Sequence, residues 1–193
     1  MISEPFGPNL HDYRYDMTDY TAQKHLHDTE LRWFAVQTRS KSEKFVQRVL
    51  TKKGIQAYVP LQRLMRRYTR STRLVEKPLI NCYVFVRITK AEYLPVLETE
   101  NVNGFVRFNK KLVAIPEVEI SLLKRITLED GLEVEAVPGT LATGDPVEIR
   151  AGGLIGLRGQ VVKVEGKHRF QVELKHLGHS LLMTVDSAIL EKI

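Results

Sequence analysis

From residue 143 onward the chain carries four short runs, PVEIR, GQVVKVE, RFQVELK and LLMTVD, punctuated by glycines at 152, 153, 156, 159, 166 and 178. Alternation of apolar and polar residues lets a strand bury one face and wet the other. Strands recurring about every ten residues with glycine turns point to a small closed β-barrel over residues 143–193. Closure matters because fifty residues make a small core, and it removes edges that would otherwise template aggregation.

The text before residue 131 has another rhythm, in which helical and strand patterns alternate. LRWFAVQT is apolar and β-prone. Ser40 followed by Glu43 has capping-box spacing. The helix it would open, residues 41–53, buries Phe45, Val46, Val49 and Leu50 and sets Lys41, Lys44, Arg48 and Lys52 on the opposite side. Gly54 stops it. Strands are expected over 56–64 and 79–88, flanking a polar hairpin, RRYTRSTR, and YVFVRI is the clearest strand in the chain. A second helix falls within 89–100, short strands over 104–108 and 112–115, and Pro116 suits the first turn of a helix carrying Ile120, Leu123 and Ile126. The chain therefore reads as α+β: an α/β sandwich with one sheet over 31–131, then the barrel. Residues 1–30 read as a poorly ordered arm with a short helix near 18–28, and the acidic, glycine- and proline-bearing 132–142 as a linker.

Charge is polarised along the chain. The formal net charge is +6, yet residues 39–77 hold twelve Lys or Arg against Glu43 and Glu76, a local excess of +10, which leaves the remainder net negative. The basic helix face and the hairpin arginines Arg63, Arg66, Arg67, Arg70 and Arg73 supply it, with Tyr68 among them. Irregularly spaced cations suit phosphate oxygens, not base edges. No catalytic constellation accompanies them. Cys82 falls inside a predicted strand and reads as a structural thiol. His25 with His27 and His176 with His179 lack the further ligands of a metal site, and GGLIGLRG lacks the Gly-Lys-Ser/Thr ending of a phosphate loop. No catalytic, cofactor or metal residue is assigned. One cysteine, an opening MISEPFGPNLHDYRYD without a signal peptide's apolar core, and no run long enough for a membrane span lead to a cytoplasmic protein as the expectation.

Five segments in order, WFAVQTRSKSEK, GIQAYVPL, PLINCYVFV, VNGFVRF and GDPVEIRAGGLIGLRGQVVKVEG, resemble the two domains of NusG/RfaH-type transcription factors, the last being similar to the KOW motif of their five-stranded SH3-like barrel. The resemblance implies an NGN-like domain that grips the clamp helices of RNA polymerase, joined to a KOW barrel that recruits other factors. The family's PLFPGY motif reads PLINCY here, so the implied polymerase-binding residues are Ile80 and Tyr83, with Asn81 and Cys82 in place of the usual proline and glycine. VNGFVRFNKKLVAIP is more similar to the specialised RfaH and UpxY type, which implies antitermination. The barrel's factor-binding stretch maps onto Leu177, Gly178 and His179, a departure from the phenylalanine-glycine-arginine used for Rho and a small-subunit ribosomal protein. Upstream or non-template DNA would face Arg39, Lys41, Arg66, Arg67, Arg70, Arg73 and Arg107. Arg39 and Arg107, beside rigid elements, are the candidates for reading a base. The expected assembly is a monomer on RNA polymerase, away from membranes. A rival reading from another class is a KOW-type RNA-binding ribosomal or ribosome-assembly protein.

Overall fold

The structure, a computed structural model, describes residues 26–68, 71–108, 111–129, 131–139, 144–164 and 166–193. Most of the expected N-terminal arm and its short helix lie outside these residues, and 26–31 contain no helix.

The chain opens with β1 (Arg32–Thr38), α1 (Glu43–Lys52), β2 (Gln56–Tyr58), β3 (Leu61–Tyr68), β4 (Ser71–Pro78) and β5 (Tyr83–Ile88). A 3-10 turn, Lys90–Glu92, then runs into α2 (Tyr93–Leu97), followed by β6 (Val102–Phe105), β7 (Arg107–Phe108), β8 (Lys111–Leu112) and α3 (Glu117–Leu128). Four strands form one sheet in the order β2-β5-β1-β6, with β1 antiparallel to both neighbours. Because successive side chains point to opposite faces, Phe34, Val36, Val84, Val86 and Ile88 meet Val46 and Leu50 of α1 and Val96 of α2. Trp33, Ala35 and Phe85 point the other way, onto Ile120, Leu123 and Ile126 of α3. The α/β sandwich has the composition its sequence implied, and the expected strand 56–64 is broken between Tyr58 and Leu61, where Pro60 cannot donate a ladder hydrogen bond.

The rest comprises β9 (Val134–Pro138), β10 (Asp145–Ile149), β11 (Arg158–Val164), β12 (Lys167–Leu174), β13 (His179–Met183) and β14 (Leu190–Lys192), hydrogen-bonded in the order β14-β10-β11-β12-β13-β9. Five strands fall within the expected barrel. The sixth, β9, comes from the segment read as a linker and pairs with β13 from His179↔Pro138 to Met183↔Val134. Gly159 is not a turn glycine. It lies inside β11, where a Cβ would stand 2.4 Å from the Gln171 carbonyl oxygen of β12.

One local expectation fails instructively. Ser40 and Glu43 do not cap α1; Ser42 precedes its first residue and makes no side-chain cap bond. Glu43, only 4% exposed, instead accepts the backbone N–H of Cys82 at 2.7 Å. Cys82 has φ 63°, a left-handed conformation that glycine adopts freely and other residues at a cost. A distant carboxylate thus holds the turn that a glycine would form unaided.

Glu43→Ala is expected to destabilise the fold by about 1–3 kcal/mol, because it strands a buried donor, and Glu43→Gln by less, since an amide oxygen still accepts. Cys82→Val should cost at least about 1 kcal/mol, while Cys82→Gly holds or raises stability. Urea unfolding followed by circular dichroism gives both values; equal losses for Val and Gly at position 82 would remove the backbone-strain explanation.

Candidate functional site

Ile80 sits in the turn before β5 and Tyr83 at its first residue. Tyr83 shares a face with Phe85, so it points toward α3 and the C-terminal sheet. Its ring lies 5.5 Å from that of His179, edge-on at 77°. Burial pushes the Tyr83 phenol above its ordinary range, and the charge of neighbouring Cys82 adds to this. Ile80 is 3% exposed and belongs to a hydrophobic core that continues without a break into Leu174, Leu177 and Leu181. Gly178, at φ 61°, turns the chain between Leu177 and His179, and its carbonyl accepts the Gly139 N–H at 2.8 Å. The residues expected to hold polymerase and those expected to recruit a factor therefore face each other across one seam.

Four polar residues that the sequence did not single out for this purpose close the seam. Glu119 of α3 is 1% exposed, and its Oε1 accepts the His176 backbone N–H at 3.3 Å and lies 2.6 Å from His176 Nδ1. Arg125 of α3 donates to the Gly153 and Ile155 carbonyls, each at 3.0 Å, and Gln62 Nε2 donates to the Val134 carbonyl at 2.6 Å. These bonds cross between segments far apart in the chain, so periodicity carries no trace of them. The one available signal was Glu119 itself, a carboxylate beside Ile120 in a helix whose neighbouring positions are apolar.

The basic residues gather elsewhere. β3 and β4 pair only with each other, forming a ribbon beside the N-terminal end of α1. Between ribbon and helix is a groove of about 550 Å³ lined by Ser40, Lys41, Lys44, Arg66, Lys77 and Asn81, among others. Lys44 donates to Glu76 at 2.8 Å, and this hydrogen bond, with the charges of Lys44 and Arg63, holds the Glu76 carboxyl below its ordinary range. Arg66 lies directly opposite Arg73, while Arg67 occupies the other face of the ribbon. Of the expected nucleic-acid residues, Lys41 and Arg66 thus line one groove. Arg39 is exposed just past β1, its N–H bonded to the Asn101 carbonyl at 2.9 Å. Arg107 lies past the far end of β6 and donates to the Tyr93 hydroxyl at 3.2 Å, so the length of that strand separates it from Arg39. Arg70 lies outside the described residues.

The family model described as transcription termination factor nusG matches residues 31–124. No curated protein matches the chain. A solved structure of domain interaction in Thermotoga maritima NusG has a TM-score of 0.50 and 21% sequence identity, over 85% of this chain and 98% of that one. An MjSpt4:Spt5 complex in conformation B has a TM-score of 0.31 and 21% identity, over 83% of this chain and 96% of that one. Identity this low bears on fold alone, and the second score supports nothing further. Residues 31–124, just under half of the chain, are thus similar to the NusG family.

Proposed function

We propose that this protein is a transcription elongation factor that binds RNA polymerase through the surface around Ile80 and Tyr83, lowers pausing and termination, and offers its C-terminal sheet to a second factor. The match of residues 31–124 to the NusG family model supports the reading. The work is a population shift, in which an apolar anchor on one wall of the cleft and cations toward the nucleic acid favour the closed, active polymerase. No chemical step is assigned to the chain. The specialised antitermination role rests on the segment from Val102 to Pro116, and the roles of Leu177, Gly178 and His179 on their resemblance to the family's factor-binding stretch.

The seam adds a condition. With Ile80 buried and Tyr83 against His179, polymerase gains its anchor only when the C-terminal sheet moves away, and the same motion frees Leu177–His179. Apparent affinity for polymerase then equals the intrinsic value reduced by the open fraction.

In a pull-down of the full chain, Ile80→Ala with Tyr83→Ala is expected to weaken polymerase binding by about 2–4 kcal/mol for each central anchor. A folded double variant that binds like wild type would sink the anchor assignment, and co-sedimentation with ribosomes in place of polymerase would favour the RNA-binding alternative. Arg125→Ala should act in the opposite direction, raising polymerase affinity by roughly threefold or more as the open fraction grows. Unchanged or weaker binding by a folded Arg125→Ala variant would show that closure does not compete.

Binding to nucleic acid should fall steeply with salt. Arg66→Ala with Arg73→Ala is expected to flatten the log–log slope by roughly 0.7–0.9 for each phosphate no longer neutralised, equally across sequences. A sequence-selective weakening from these two changes would indicate base readout by the ribbon.

A further inference from the structure

The β3–β4 ribbon carries two large apolar side chains that are mostly exposed among the described residues. Met65 is 68% exposed and Leu74 is 60% exposed. They are direct cross-strand partners, so they stand side by side as one apolar unit. Single exposed apolar residues need no explanation, but an adjacent pair on a ribbon that joins no other sheet does.

What surrounds the pair indicates its occupant. On the same face, two residues away in each direction, stand Arg63 opposite Glu76 and Arg67 opposite Thr72. On the reverse face Arg66 stands directly opposite Arg73, an arrangement that costs stability unless an anion lies between or beside the two. No carboxylate among the described residues forms an ion pair with Arg66, Arg67 or Arg73. An anionic polymer with apolar faces between its charges would satisfy both the guanidinium groups and the aliphatic pair. Nucleic acid has that build: phosphates on the outside and base faces within. Proteins that insert an apolar wedge between base steps use aliphatic residues such as Met and Leu, flanked by cations on the backbone.

We propose that Met65 and Leu74 form a wedge that enters an unstacked step of duplex DNA while Arg67, on the same face, holds an adjoining phosphate and Arg66 and Arg73, on the reverse face, hold phosphates farther along the backbone. This rests on the nucleic-acid contact proposed above and adds its mode: the ribbon senses how easily a step opens, not which bases form it. Pyrimidine–purine steps, which unstack most readily, are then preferred without any base-edge hydrogen bond.

The test uses the full chain and short DNA duplexes carrying one 2-aminopurine at a central TA step, or the same fluorophore in a stiff A-tract. Wild type is expected to raise the fluorescence of the TA duplex and to bind it more tightly than the A-tract. Met65→Thr with Leu74→Thr, both exposed and compatible with a strand, should abolish the fluorescence change and lower affinity about tenfold, the scale of one base-face contact. The salt slope should stay unchanged in that variant and flatten in Arg66→Ala with Arg73→Ala. DNA binding with a steep salt slope but no fluorescence change, and no effect of the Thr changes, would overturn the wedge and leave phosphate holding intact. Absence of any duplex binding would overturn both. Capture of wild type, but not of the Thr variant, by phosphatidylserine vesicles without a DNA effect would assign the pair to a lipid surface and overturn the proposal.

Discussion

Along its middle, the pair β1–β5 is apolar and buried on both faces. Phe34, Val36, Val84, Val86 and Ile88 are fully buried under α1 and α2, and Phe85 is fully buried on the opposite side. A strand pair this apolar on both faces must be covered on both, because each large side chain left wet forfeits about 1.5–3 kcal/mol. The first cover is local. The second is α3 together with residues of the C-terminal sheet, which share one core with Trp33, Ala35 and Ile80. Placement of the C-terminal sheet therefore follows from the hydrophobicity of the N-terminal one. Polar closure at Glu119, Arg125 and Gln62 sets the register of a contact whose driving force is apolar.

Much of this was legible in the residues. YVFVRI and RWFAVQT read as strands, and α1 displays its cations as the spacing of three and four requires. The C-terminal strands announced themselves through alternation. What escaped depends on partners distant in sequence. VEAVP alternates weakly, carries an acid and lies between Gly131 and Gly139, so it reads as a linker until the free edge of β13 recruits it. Glu43 has capping spacing, yet the turn at Cys82 needed it more. Identification of Ile80 and Tyr83 came from resemblance to a motif. Their burial could not, since it requires knowing where residues 177–179 fold back.

The basic segment divides between the two faces of the ribbon along the same lines. Composition alone located the excess between residues 39 and 77, but it could not distinguish the two faces of the ribbon. One face carries Arg66 opposite Arg73, and Arg66 lines a groove with Lys41 and Lys44. The other face presents Met65 and Leu74 between Arg63 and Arg67. Arg107, equally basic in the sequence, is drawn away to Tyr93, whose ring stacks on Phe105 at 4.6 Å. Sequence distance and charge density treated these arginines alike; strand register separates them.

β9 has a consequence for the seam. Only five residues lie between the end of α3 at Leu128 and the start of β9 at Val134. Even fully extended, such a segment reaches no more than about 20 Å. The C-terminal sheet, once released, stays on a short leash, and its local concentration at the seam is on the order of millimolar. A competitor for the surface around Tyr83 contends with this ever-present neighbour and not with a freely diffusing domain. Departure of the competitor is followed by closure within the same molecule, at a rate independent of how much protein is present.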